Sequence, residues 1–251
     1  MRKTIRLMAM LAVGAALLTT ACGKDDPTDD PTPDTPTPVN PVDPDPVDPD
    51  PEDLTADWVD LGLPSGLLWA KCNLGANSPE EYGDYYAWGE IEPKEVYDWN
   101  TYMHCNGGYG QLTKYCTDPE YGYNGFTDNL TTLQAVDDAA TAKLGTGVRM
   151  PTADEWRELI ANTTAEWTTE NGVNGRRLTA SNGKSLFLPA AGRHLLSDFY
   201  YAGEIGGYWS SSLVADSTNV ARNFEFTLEK QFMTRGNRRC GMSVRPVRPA
   251  L

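Results

Sequence analysis

The sequence predicts an α+β domain over residues 54–251, with two main helices set around short antiparallel sheets and little regular structure. Three observations predict it. Short apolar or alternating stretches are broken every few positions by Gly, Asn and Asp, as strands and turns require. Only two segments carry the apolar spacing of a helix. The region is long enough for one sizeable core, and no internal repeat divides it.

Strands are expected at Trp58 to Leu61 and at Leu67 to Cys72. Thr131 to Gln134 reads as a capping box that opens a first helix, with Leu133, Val136, Ala140 and Leu144 on one face and Gly145 at its end. The second helix starts after Pro151, capped by Thr152 with Glu155 reaching back. Its inner face is Trp156, Leu159 and Ile160. Ser185 to Pro189 is a short central strand. From Ala221 to Leu228 the chain alternates, with Phe224, Phe226 and Leu228 on one face and Asn223, Glu225 and Thr227 on the other. Phe232 to Thr234 returns from it as a hairpin. Gly241 to Val247 is the last strand, with Met242 and Val244 inward and Pro246 placing its end at a sheet edge.

The N-terminal region has a different composition. Arg2, Lys3 and Arg6 precede an apolar run from Leu7 to Leu18 and then small residues, the order of a secretory signal over residues 1–21. The run is too short to span a bilayer. Residues 27–51 hold ten prolines among Asp and Thr. Proline lacks an N–H and fixes φ, so residues 22–53 are expected to be a disordered tether, rising roughly 3 Å per residue where extended.

Charge is uneven along the chain. Of 21 basic and 35 acidic residues, 17 and 24 lie in residues 54–251. This mildly acidic domain lacks the basic footprint of a nucleic-acid binder, so no nucleic-acid partner is expected. Its end is nevertheless basic, with Arg222, Lys230, Arg235, Arg238, Arg239, Arg245 and Arg248 against Glu225 and Glu229.

Three resemblances follow from quoted residues. Cys22 after Thr19-Thr20-Ala21 resembles the lipidation site of a bacterial lipoprotein, and Gly23-Lys24-Asp25-Asp26 resembles the signal that sends Bacteroidetes lipoproteins to the exterior of the outer membrane. The run from Val59 to Ala70, Glu81 to Glu90, Arg149 to Trp156, Phe187 to Gly192, Tyr208 to Ser212 and Ser243 to Val247 together resemble the Fibrobacter succinogenes major paralogous domain, a family of secreted and lipoprotein domains. Arg149 to Trp156, Gly207 to Trp209 and Gly241 to Arg245 are similar, more remotely, to the formylglycine-generating-enzyme type of C-type-lectin-like fold. That resemblance implies that the first and last strands pair and that the ligand surface is built near the C-terminal end. A relative of that fold carries a hypervariable segment between its Trp motif and its final Gly-x-x-x-Arg, here residues 208–240.

Catalytic constellations are sparse. The oxidase members of the resembled fold hold copper with a cysteine pair, and only Cys240 stands at that end. Cys72, Cys105, Cys116 and Cys240 are an even set in an exported chain, which favours disulfides. The preferred pairing is Cys105 with Cys116 and Cys72 with Cys240, one of three possible. His104 and His194 lack the spacing of a zinc site. Ser210-Ser211-Ser212 has no evident base. Glu80, Glu81, Asp84, Glu90 and Glu92 show no glycosidase pair and read as loop surface, or at most as calcium ligands with no assigned set. Gly107-Gly108-Tyr109-Gly110 lacks the residues of a phosphate loop. No cofactor is expected.

What remains is recognition. Tyr208, Asn219, Arg222, Asn223, Glu225, Arg235, Asn237 and Arg238 fall in the segment that corresponds to the ligand surface of the resembled fold. Forked guanidinium groups suit carboxylate or sulfate, and tyrosine faces suit sugars. The expectation is a non-catalytic lipoprotein of the outer membrane, surface-exposed, binding an extracellular glycan or protein. The alternatives are a structural or adhesive part of a surface assembly, and an enzyme of formylglycine-generating type.

Overall fold

The computed structural model describes residues 58–250. The secretory signal, Cys22 and the proline-rich tether lie outside the described residues. The domain consists mostly of small antiparallel sheets with few helices.

The first sheet has the order β1 (Trp58–Asp60), β2 (Leu67–Ala70) and β11 (Val247–Pro249). Trp69 is opposite Val59 on one side and Val247 on the other, so the start and end of the domain share a sheet. The expected last strand is displaced. Met242 and Ser243 make single bridges to Tyr86 and Tyr208, and Pro246 precedes β11 rather than ending it. Proline has no N–H to donate, so pairing resumes at Val247. Met242 and Val244 are fully buried, as expected.

β3 (Thr163–Glu170), β4 (Val173–Ala180) and β5 (Ser185–Pro189) form a meander. Asn171 and Gly172 join β3 to β4 with φ of 47° and 85°, the left-handed pair that a tight hairpin turn needs. β6 (Arg193–Leu195) and β7 (Asp198–Tyr200) form a small separate hairpin.

The sheet that positions the expected ligand residues has the order β10 (Gln231–Asn237), β9 (Val220–Phe226) and β8 (Gly206–Leu213). It is covered on both sides. Tyr208, Phe224 and Phe226 enter one core with Trp69 and Trp156, while Trp209 and Ala221 enter a second with Tyr86, Trp88 and Met242. Double burial explains why β8 does not alternate. The strand ends at Phe226, leaving Leu228 65% exposed, contrary to its expected inward place.

The first helix also departs from expectation. Thr131 and Leu133 bond across to β8, with the Leu213 N–H donating to the Thr131 carbonyl and the Leu133 N–H to the Ser211 carbonyl, both at 2.8–2.9 Å. A 3₁₀ turn follows at Ala135–Asp137, and α1 runs only from Ala139 to Leu144. Its cap is Asp138, whose Oδ1 accepts from the Ala140 and Thr141 amides. Thr131 and Thr132 are committed to β8 and the Asp137 carboxylate is taken by Lys114 and the Tyr115 hydroxyl, so the cap falls to Asp138. Val136 is consequently 71% exposed and Leu144 49% exposed, and the buried face is Ala139 and Ala140.

α2 (Ala153–Ala161) matches its expectation. Thr152 Oγ1 accepts from the Glu155 amide at 3.2 Å and Glu155 Oε2 accepts from the Thr152 amide at 2.7 Å. Trp156 lies edge-on to Trp69 at 4.8 Å and stacks on Phe224 at 4.9 Å. The helix is thereby fixed across β9.

Candidate functional site

The structure divides the eight expected ligand residues into two groups. Three are interior. Tyr208 is fully buried, its hydroxyl donating to the Pro189 carbonyl at 2.8 Å and accepting from Asn73 Nδ2 at 3.3 Å. Burial pushes that hydroxyl's pKa up to about 12. Asn223 is fully buried, opposite Trp209 on β8 and Thr234 on β10. Arg238 is fully buried and donates to the carbonyls of Tyr115, Thr218 and Lys114 and to the Tyr102 hydroxyl, at 2.9–3.0 Å. Its guanidinium sits 4.9 Å from the Trp88 ring centre.

These three are corrections to the expected ligand surface. A guanidinium has five donors in a rigid fork, and loop carbonyls that find no sheet partner accept them. Arg245 does the same elsewhere, donating to Asn73 Oδ1 and to the carbonyls of Ala70, Lys71 and Phe187. Two buried arginines thus stitch the irregular loops to the sheets. The basic C-terminal end is partly interior cement.

The other five are not interior: Arg235 is exposed, and Asn219, Arg222, Glu225 and Asn237 are half-buried. Arg222 and Arg235 are directly opposite each other on β9 and β10, and Asn237 is opposite Val220 two pairs further along. Side chains two positions apart share a face, so Arg222, Arg235 and Asn237 present together. Neither guanidinium has a hydrogen-bond or ion-pair partner among the described residues. Glu225 belongs to the other face, where it approaches Arg193 at 3.5 Å. Asn219 precedes β9, with Oδ1 accepting from Ser217 at 3.2 Å and Nδ2 donating to the Tyr109 hydroxyl at 3.4 Å. The arrangement is a pair of unneutralised forks on adjacent strands, able to grip an anionic group bidentately from two sides.

The cysteines do not follow the expected pairing. No disulfide joins Cys72, Cys105, Cys116 and Cys240. The Cys105 thiol points to the Trp99 carbonyl at 2.9 Å and the Cys116 thiol to the Asp118 carbonyl at 3.1 Å, so the two sulfurs face different loops. The Cys240 thiol is buried, and burial raises its pKa.

The acidic loop residues are engaged separately. Glu90 takes Lys94 and the Met103 amide, Glu92 takes Lys143, Glu80 takes Asn171, and Asp84 takes the Tyr86 hydroxyl. Among the described residues no three His, Cys, Asp or Glu side chains converge as metal ligands.

One acid–base cluster was not legible in the sequence. Asp137 accepts from Lys114 at 2.6 Å and from the Tyr115 hydroxyl, with His104 Nε2 at 3.7 Å. His104 Nε2 lies 2.7 Å from the Gly89 carbonyl, so the neutral ring carries its proton there. Burial lowers the His104 pKa. These groups are spent on one another and on backbone. None lines the cavity of about 600 Å³ that lies between β1, β2, β11 and the end of α1, among Trp58, Cys72, Leu144, Val148 and Arg248. That cavity shares no residue with the arginine pair.

No known family model matches the chain, and no curated protein or solved structure matches it.

Proposed function

We propose that this chain is a non-catalytic recognition module of the bacterial cell surface, anchored to the outer membrane by lipid on Cys22 and held clear of it by residues 22–53. Its ligand is an acidic extracellular glycan, gripped by Arg222 and Arg235. The single observation that carries this reading is the in-register pair of guanidinium groups with no partner among the described residues. Two like charges opposite each other on a strand pair cost stability, which a ligand carboxylate or sulfate offsets.

A C-type-lectin-like fold is part of the proposal. The pairing of β2 with β11 supports it, because the resembled fold joins its ends in this way. The position of the arginine pair after the Tyr208-Trp209 motif supports it as well. Absence of a catalytic role is read from the acid–base residues that meet, which are committed to each other. A structural or adhesive role has one observation in its favour: β10 is an outer strand of its sheet, available to a further strand.

The test is capture of the full chain on an array of sulfated and uronic-acid glycans, with the Arg222→Ala, Arg235→Ala double variant beside it. The proposal expects capture that weakens with salt and is lost in the variant. Capture of none of these glycans, together with retention of an acidic outer-membrane protein, would move the chain to the adhesive reading.

A further inference from the structure

A second surface uses neither arginine of the pair and has a different chemistry. It is built on the smallest core cluster, where Tyr102, Leu112 and Cys116 are buried and Trp99 and Tyr121 pack partly exposed against them. Tyr109 is not part of that core. It sits over it, 57% exposed, with its ring centre 5.9 Å from Trp99 and 5.8 Å from Tyr121 and both pairs near perpendicular. An exposed ring braced edge-to-face on two sides keeps one orientation at little further entropic cost.

The loop that carries Tyr109 is closed locally. The Asn106 amide donates to the Gln111 carbonyl at 2.7 Å, the Gln111 amide donates to the Gly108 carbonyl at 3.2 Å, and Cys105 bridges to Leu112. Gly107 and Gly110 take φ of 71° and 75°, which lets so short a loop turn back. The Gly107-Gly108-Tyr109-Gly110 run, which fails as a phosphate loop, therefore works as a mount for one aromatic ring.

Polar groups sit at the rim. The Asn219 amide meets the Tyr109 hydroxyl at 3.4 Å, a long contact that leaves its second N–H unused. The charged neighbours of Tyr121 are Asp118 and Glu120. The Tyr121 hydroxyl is raised in pKa first by its pairing with the Tyr109 hydroxyl and, among lesser causes, by those two carboxylates. An anionic ligand is disfavoured beside them.

We infer that Tyr109, braced by Trp99 and Tyr121 and flanked by the Asn219 amide, is a stacking platform for a neutral sugar ring. The apolar C–H face of a pyranose lies on the tyrosine, and its hydroxyls meet the Asn219 amide. The site is independent of the arginine pair, and either can fail without the other.

The experiment places the full chain on an array of neutral hexose and N-acetylhexosamine oligosaccharides, alongside Tyr109→Ala, Tyr109→Phe and the Arg222→Ala, Arg235→Ala variant. Melting curves accompany each protein. Capture of a neutral oligosaccharide by the unaltered chain is expected. It falls about tenfold or more in Tyr109→Ala, is kept in Tyr109→Phe, and is unchanged in the double arginine variant. Because Tyr109 is mostly exposed, Tyr109→Ala keeps the wild-type melting temperature. No capture by the folded unaltered chain overturns the inference, as does capture undiminished in a folded Tyr109→Ala protein. Loss only in the double arginine variant also overturns it and assigns the sugar to the other site.

Discussion

Arg222 on β9 and Arg235 on β10 are opposite one another in register, and no carboxylate among the described residues answers either. A strand pair gains from opposite charges at such a position and loses from like ones. Two unit charges about 6 Å apart in water repel by roughly 0.7 kcal/mol. The arrangement is one that function, rather than folding, would maintain. An edge strand also benefits from charge that discourages pairing with another chain, but a single arginine on β10 would serve that purpose.

Replacing Arg235 by Glu separates the two needs. Arg235→Glu turns the repulsive pair into an ion pair, and stability should rise by about 0.2–1 kcal/mol, toward the low end because Arg235 is exposed. Capture of acidic glycans should disappear in the same protein. Thermal denaturation and array binding on one sample read both. A stabilised variant that still captures acidic glycans would count against the arginine site.

Arg238 should behave in the opposite way. Its four partners are three loop carbonyls and one buried hydroxyl. Arg238→Lys supplies a point charge where a fork is needed and leaves several acceptors unsatisfied, at about 1–3 kcal/mol each when buried. A loss of at least about 3 kcal/mol is expected in urea denaturation, with little change in slope. A loss below 1 kcal/mol would show that the loops hold without it.

Much of the fold was legible because its determinants are local. The capping box of Thr152 and Glu155 and the apolar face of Trp156 and Leu159 lie within ten residues, and the helix formed where they placed it. The alternation of Phe224 and Phe226 likewise fixed which face of β9 meets α2. The first helix failed because Thr131 to Leu133 is claimed by β8, some eighty residues away in sequence, which no local signal records. The β3–β4 hairpin had a signal in Asn171-Gly172, but its threonine-rich strands lack the apolar alternation that draws attention. At the site, residue type alone did not separate Arg222 and Arg235 from Arg238. All three are arginines near one hairpin, and only the register and the packing of loops over β10 divide surface from interior. Tyr109 escaped because exposure of a loop aromatic depends on what packs beneath it.

Acid should weaken the domain partly through His104. Burial holds its folded pKa below the ordinary value, with partial opposition from Asp137. The unfolded chain therefore binds more protons, and this contribution is full above the ordinary histidine range and is lost as pH falls through it toward the folded value. Stability measured by denaturation at a series of pH values from 7.5 to 5 should fall less steeply in His104→Gln than in the unaltered chain. Parallel profiles would show that His104 does not set the slope.

The cap on α2 stabilises the helix locally. Thr152→Ala removes the acceptor for the Glu155 amide. A loss of about 1 kcal/mol is expected, without change in ligand capture, because α2 holds β9 through Trp156 on Phe224 and neither capping residue contacts the arginine pair. Denaturation midpoints of the two proteins check it.

The most direct measurement is the capture of sulfated and uronic-acid glycans by the full chain and by its Arg222→Ala, Arg235→Ala variant, with matched melting temperatures. Salt-sensitive capture by the first and none by the second is expected. Undiminished capture by a folded variant, or no acidic glycan captured by the unaltered chain, would contradict it.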